Sequence, residues 1–342
     1  MNVIVGTSGR LGRIILDRPQ AINALSTPMV DRVADALDTW EDSSAVDHVL
    51  ITGNGQRGMC AGGDIRAIHA DAAAGGDASL EFWRREYRLN ARIAGYPKPI
   101  VTWMDGLVMG GGIGLGSHAS HRLVTQRSRL AMPEVGIGFH PDVGGSWLLG
   151  RAPGQVGVHM GLTGVAVGAA DAVHAGLADR FVPAERLPEL VTALETRDAT
   201  EAVDAVAAPA PPSRMERSRP WIDDCYAAES VADIVERLRD HPDPDAQAAA
   251  KEIAANSPTS LVVTLRSLRT ARALPSLEAA LEREYRLSAA LLRSPDLVEG
   301  VRAQIIDKDR SPLWIPDSLE RVSATFVDAC FGADQPRITP SR

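Results

Sequence analysis

Two carboxylates and two glycine runs are the residues of this sequence whose types and spacing could do chemistry. Gly110-Gly111-Gly112 opens a segment that reads as the start of a helix, where free backbone N–H groups and the helix dipole favour negative charge. Further on come Met132-Pro133-Glu134 and Pro141-Asp142-Val143-Gly144-Gly145, so Glu134 and Asp142 fall on short loops punctuated by proline and glycine. An earlier pair, Gly62-Gly63, stands in Met59-Cys60-Ala61-Gly62-Gly63-Asp64-Ile65, between an expected strand and an expected helix, and offers a second place where backbone donors can approach a ligand closely. Donors for an oxyanion together with paired acids suggest acyl chemistry.

The elements that must position these residues alternate between strand, turn and helix. Val3 to Val5 and Leu11 to Leu16 are aliphatic runs split by Thr7-Ser8-Gly9 and predict a hairpin; Thr27-Pro28 supplies a helix start, with Met29, Val33, Ala36 and Leu37 on one face. Val46 to Thr52 predicts a buried strand, Leu80 to Ala94 a helix carrying Glu86, and Lys98 to Trp103 the strand that feeds the glycine turn. Short extended pieces follow at Leu123 to Thr125 and Arg129 to Met132, then a helix over 154–164 and another over 169–175. Such alternation predicts an α/β layered domain. The Pro/Ala run over 207–213 reads as a linker, and beyond it helices are expected over 227–240, 244–255, 258–272, 277–292 and 296–306.

Length and charge bound the alternatives. A chain of 342 residues exceeds one ordinary core, and a formal charge of −8 argues against a nucleic-acid partner held by bulk electrostatics. Three scattered cysteines, Cys60, Cys225 and Cys330, fit a reducing compartment without a disulfide framework, and their spacing matches no zinc site. No stretch reaches bilayer-crossing length and the first residues lack a signal-peptide pattern, so a cytoplasmic protein without a membrane partner is expected. Gly114-Leu115-Gly116-Ser117-His118-Ala119 fits the dinucleotide pattern G-x-G-x-x-A, but that fingerprint should follow its strand immediately, and here Asp105 to Met109 and three glycines intervene. Cys60 reads as a small buried residue rather than a nucleophile, and His118, His121 and His140 have no standard metal-ligand spacing.

Taken together, LDRPQAINAL over 16–25, CAGGDIR over 60–66, MGGGIGLG over 109–116, AMPEVGIGFHPDVGG over 131–145 and EGVRAQIIDKDRSP over 299–312 resemble the crotonase, or enoyl-CoA hydratase/isomerase, superfamily. PDVGG and EGVRAQIIDKD look narrower and resemble its 3-hydroxyisobutyryl-CoA hydrolase branch. The resemblance implies a spiral of ββα units, an acyl-CoA-binding core over 1–205 and a helical C-terminal region over 206–342 packing over the active site. It implies that the N–H groups of Gly63 and Gly111 hold a thioester carbonyl, with Glu134 either attacking the thioester or activating water, and Asp142 orienting the substrate or assisting proton transfer. Glu86 matches a substrate contact of the hydrolase branch, and Ala24, Ala61 and Ile65 lie where related proteins touch CoA. Arg66 and Lys308 are candidates for the CoA phosphates, Trp103 and Trp147 for the border of the acyl pocket.

Departures from the superfamily pattern select among reactions. Hydratases of this kind use two glutamates, one of them three residues after the second oxyanion glycine; that position is Gly114 here, while Asp142 stands where they commonly carry glycine. The resemblance therefore implies hydrolysis of a short β-hydroxyacyl-CoA, as in valine breakdown. An enoyl-CoA hydratase or isomerase using Glu134 alone is the alternative, and a catalytically idle CoA- or protein-binding member a second. No metal or redox cofactor is expected, because two N–H groups replace a Lewis acid. A homo-oligomer stays open.

Overall fold

The computed structural model describes residues 2–332 and 336–338. Residue 1 of the expected core, and residues 333–335 and 339–342 of the expected helical region, lie outside the described residues. The chain forms two compact units, one of Met1–Gly63, Arg85–Ala131 and Val167–Arg214, the other of Asp64–Arg84, Met132–Ala166 and Met215–Arg342.

The first unit is built on a six-stranded sheet. Strands β1 (Val3–Ser8) and β2 (Leu11–Leu16) form the expected antiparallel hairpin; β3 (His48–Gly53), β4 (Ile100–Met104), β6 (His121–Val124) and β8 (Arg180–Phe181) then add in parallel, in the order β1-β2-β3-β4-β6-β8. β4 is buried along its whole length and β3 along all but its last residue, as parallel strands covered on both faces must be, which explains why their sequences are apolar runs rather than alternations. Leu11, Leu50, Val101, Trp103 and Leu123 pack with Leu190, Leu194, Ala202, Val203 and Val206 from helices Leu187–Leu194 and Ala199–Val206. Trp103 is thus a core residue, spent on this packing.

A second, two-stranded parallel sheet of β5 (Leu107–Met109) and β7 (Arg129–Ala131) leads into the glycine run over 110–112. Cys60 bridges to Val108 in parallel, and Leu130 bridges antiparallel to Val167. The run expected to be a linker is tied down at both ends: the Ala208 N–H donates to the Phe181 carbonyl at 2.9 Å, and the Ser213 hydroxyl to Asp171 at 2.7 Å.

The second unit is mostly helix. Its helices Val231–Asp240, Pro244–Ala255, Pro258–Ala271, Leu277–Leu291 and Pro295–Val301 begin after Ser230, Asp243, Ser257, Ser276 and Ser294, whose side chains each accept a first-turn N–H. Three start with proline, where the missing donor costs nothing. Helix Pro258–Ala271 packs closely on Gly145–Gly150 and Val156–Thr163 through glycine: a methyl on Gly150 would come within 2.7 Å of the Ala271 Cβ, and one on Gly161 within 2.6 Å of Leu268. The sequence predicts one helix over 296–306; the α-helix ends at Val301 and a π-type turn continues over Arg302–Ile306, with the Arg302 guanidinium gathering Glu299, Asp307 and Asp309. Arg66 donates to the Ile305 carbonyl at 2.8 Å, and Lys308 holds a positive φ of 60° in an exposed position.

Deep in this unit His159 meets the Tyr226 hydroxyl at 2.8 Å and lies edge-on to Trp221 at 5.5 Å, and burial pushes its pKa down to about 4. As the pH falls, the unfolded chain takes up this proton first, near the ordinary imidazole value, so the stability present at neutral pH is lost on the way to the folded pKa. At pH 5 the loss is ~2 kcal/mol. Guanidinium unfolding at pH 7 and pH 5 should therefore show His159→Gln losing about 2 kcal/mol less than the wild type on acidification. An equal loss would contradict this account.

Candidate active site

In the first unit the two sequence-predicted donors come together through strand register. Because Cys60 and Val108 pair in parallel, the residues three further along each segment, Gly63 and Gly111, leave the small sheet side by side. The Cys60 N–H donates to the Leu107 carbonyl at 3.2 Å and the Met109 N–H to the Cys60 carbonyl at 3.0 Å, which locks that register. Gly62 holds a φ of 100°, and a methyl on it would lie 3.3 Å from the Met109 carbonyl oxygen and 3.6 Å from the Gly111 nitrogen. Gly111 is the first residue of helix Gly111–Gly116, so its N–H has no intrahelical acceptor; among the described residues neither it nor the Gly63 N–H is spent on a main-chain carbonyl.

Glu86 closes the side of this pair. It is buried, and a methyl on Gly111 would overlap its Oε1 and press on Leu25 Cδ1 at 3.1 Å. Its charge also reaches Cys60, whose thiol is pushed up to about 12, first by burial, with the Glu86 charge raising it further. A thiol so protonated at neutral pH is no nucleophile.

Asn23 escaped notice in the sequence, although it fixes the loop carrying Gly63. It is fully buried at φ 55°, and its Nδ2 donates toward the carbonyls of Asn54 at 3.0 Å, Gly58 at 3.2 Å and Met59 at 3.0 Å, while its Oδ1 accepts from the Arg18 N–H. The Ala61 N–H donates to the Ile22 carbonyl at 2.9 Å and the Leu25 N–H to the Gly62 carbonyl at 2.8 Å, so Ala24 and Ala61 lie on two adjoining loop segments tied to each other. Its place within LDRPQAINAL and its residue type, which tolerates the left-handed region, were signs in the sequence; its partners at 54, 58 and 59 were not.

Gly114 and Gly116, the glycines of the dinucleotide pattern, lie inside a helix rather than at a strand-to-helix turn; a methyl on Gly116 would meet the Met104 sulfur at 2.5 Å. His121 contacts Ser120 and Thr200 at 3.1 Å each, a surface role.

The second unit carries the acids. Glu134 opens the 3-10 turn Glu134–Ile137 and is buried; its carbonyl accepts from the Phe139 N–H at 3.0 Å, and the Val135 carbonyl accepts from Ser257 at 3.1 Å. The turn ends at Gly138 with φ 74°, where any side chain would collide with the Asp296 main chain. Phe139 stacks on Trp83 at 5.0 Å. Asp142 is buried on the next turn, beside Val143 at φ 52° and Gly144 at φ 80°. Ile65 begins the helix Ile65–Ala73, capped by Asp64. Trp147 lies under the Arg151 guanidinium at 3.1 Å from its ring centre.

A pair of main-chain amides fit for an oxyanion, with a buried glutamate against them, and two buried acids on rigid Pro/Gly turns are the equipment of an enzyme that works on an acyl group. The chain belongs to the enoyl-CoA hydratase/isomerase family, whose model matches residues 11–331. It is 39% identical to the mitochondrial 3-hydroxyisobutyryl-CoA hydrolase of Gallus gallus, over 96% of this chain and 88% of the relative. A carnitinyl-CoA dehydratase structure from Mycobacterium thermoresistibile is 48% identical with a TM-score of 0.96, covering 99% of this chain and 98% of that one. An enoyl-CoA hydratase structure from Rhodobacter sphaeroides 2.4.1 is 43% identical with a TM-score of 0.91, covering 97% of each. The fold is the crotonase-like α/β type with a helical C-terminal region.

One expectation is overturned. The sequence predicts a cytoplasmic protein, whereas the curated hydrolase relatives are mitochondrial. Unpaired cysteines fit both compartments, since both keep thiols reduced, so they could not decide between them. Among the described residues no helix is long and apolar enough to cross a membrane.

Proposed function

We propose that this enzyme hydrolyses 3-hydroxyisobutyryl-CoA to the free hydroxy acid and CoA. The hydrolase relatives, alike along nearly the whole chain, support the reaction. The single observation that carries it within the family is the acid pattern: Glu134 and Asp142 present, glycine at 114.

The chemistry follows from these groups. The N–H groups of Gly63 and Gly111 polarise the thioester carbonyl and take up the negative charge that develops on its oxygen. Glu134 drives the addition, either by removing a proton from the water that attacks the carbonyl carbon or by attacking that carbon itself; the C–S bond then breaks and the thiolate leaves with a proton, and in the second case water hydrolyses the mixed anhydride, which releases the acid and restores Glu134. Asp142 orients the 3-hydroxyl or passes that proton, and Glu86 supplies a further contact to the substrate, with Ala24, Ala61 and Ile65 along the CoA arm. No metal or redox cofactor enters, since the carbonyl needs only the two donors and the step is redox-neutral.

A second reading, hydration of an enoyl-CoA or the reverse dehydration, is favoured by the likeness to the carnitinyl-CoA dehydratase and the enoyl-CoA hydratase above. Against it stands Gly114, buried within its helix, where the resemblance to hydratases calls for the second glutamate. A panel of CoA esters assayed with a thiol reagent separates the two. Free thiol should appear fastest with 3-hydroxyisobutyryl-CoA; loss of enoyl-thioester absorbance without thiol would establish the hydratase instead.

A further inference from the structure

Helix Leu277–Leu291 places a charged group where the proposed reaction uses none. Glu284 is fully buried, and its carboxylate takes three donors from the chain just after Asp142: Oε2 accepts from the Gly144 N–H at 2.6 Å, and Oε1 from the Ser146 N–H at 2.9 Å and the Ser146 hydroxyl at 2.5 Å. One turn along the same helix, the Ser288 hydroxyl meets His140 Nε2 at 3.0 Å, and His140 Nδ1 stands 3.0 Å from the Pro141 carbonyl oxygen. Residues four apart share a helix face, so Glu284 and Ser288 grip the chain on both sides of Asp142.

The gripped segment would not hold its shape unaided. Val143, β-branched, sits at φ 52° and is followed by Gly144 at φ 80°, and the Asp142 carbonyl accepts from Gly145 at 2.6 Å. Backbone of this kind persists only where its surroundings over-determine it. A buried carboxylate is a costly clamp. Burial raises the Glu284 pKa to about 7, the Ser146 hydroxyl and Gly144 N–H pull it down, and the charge of Asp142 raises it again. Asp142 is therefore near enough for the two acids to feel each other. Arg283, beside Glu284 in sequence, directs its Nη2 to the Ser267 carbonyl at 2.8 Å and to the Ser146 hydroxyl oxygen at 3.3 Å, adding a positive group to the same corner.

We propose that Glu284 is a positioning residue for Asp142, clamping the strained turn over 142–145 so that the Asp142 carboxylate keeps one direction. This rests on the hydrolase reading of Asp142. Turnover of 3-hydroxyisobutyryl-CoA by the full-length wild type, Glu284→Gln, Asp142→Asn and the double variant forms a cycle that tests it. Glutamine keeps the size and one acceptor but sets an amide NH2 against the Gly144 N–H. Glu284→Gln should lower kcat by about 10–100-fold with KM within about 2-fold, and in the Asp142→Asn background by less than about 2-fold, because residues acting as a unit are not additive.

An equal fold-loss in both backgrounds, or a folded Glu284→Gln with wild-type kcat, would overturn the proposal. Should circular dichroism show Glu284→Gln unfolded, Ser146→Ala, which removes only the hydroxyl donor, goes through the same cycle with about a 3–10-fold loss expected and the same criterion. A wild-type enzyme that releases no CoA overturns the hydrolase reading and this proposal with it; an active wild type with additive losses overturns this proposal alone.

Discussion

Replacing Glu134 by glutamine should lower the rate of CoA release by about 10²–10⁴-fold, the range that a positioned acid or base contributes. The substitution is nearly isosteric, and the turn beneath it is held by main chain: the Glu134 carbonyl by Phe139, the Val135 carbonyl by Ser257, and Gly138 against Asp296. The fold should therefore survive, and KM should change little, since glutamine removes the reacting carboxylate and leaves the shape of the site. Thiol release at saturating 3-hydroxyisobutyryl-CoA, with a thermal melt alongside, checks this. An unchanged rate in a folded variant would take the chemistry away from Glu134 and revive the idle-member reading.

Adding one methyl at Gly111 is expected to cost nearly as much. In Gly111→Ala the new Cβ would overlap Glu86 Oε1 and crowd both Leu25 Cδ1 at 3.1 Å and the Gly62 carbonyl carbon at 3.4 Å. That displaces the thioester carbonyl oxygen from its donors and pushes Glu86 out of place together. Loss of one such donor costs about 10²–10³-fold, and kcat/KM should fall by at least that much. Overpacking at this buried site costs about 1–3 kcal/mol, more than the gain in helix propensity returns at a first helical residue, so the melting temperature should fall by a few degrees with the fold retained. Activity within threefold of wild type would mean that the oxygen binds elsewhere.

Local pattern carried much of the fold. The hairpin at Val3–Ser8 and Leu11–Leu16, the apolar runs of β3 and β4, and the serine or aspartate caps of the C-terminal helices follow rules that act within a few residues. Helices Leu187–Leu194 and Ala199–Val206 were harder to see, because each is short, one begins with proline at its second residue, and both are stabilised by covering β-strands distant in sequence. Near the site the glycines and acids announced themselves through motif and resemblance. What holds them did not: Asn23 bonds to residues 54, 58 and 59, and Glu284 reaches back to residues 144 and 146, and long-range partners of that kind leave no periodicity to read.

The most direct measurement is turnover of 3-hydroxyisobutyryl-CoA in water enriched in oxygen-18, with the products weighed by mass spectrometry. Cleavage at the thioester predicts free CoA in step with a 3-hydroxy acid carrying one heavy oxygen in its carboxyl group. Recovery of intact thioester with the label on C3, or of an enoyl-CoA that has lost water, would contradict it.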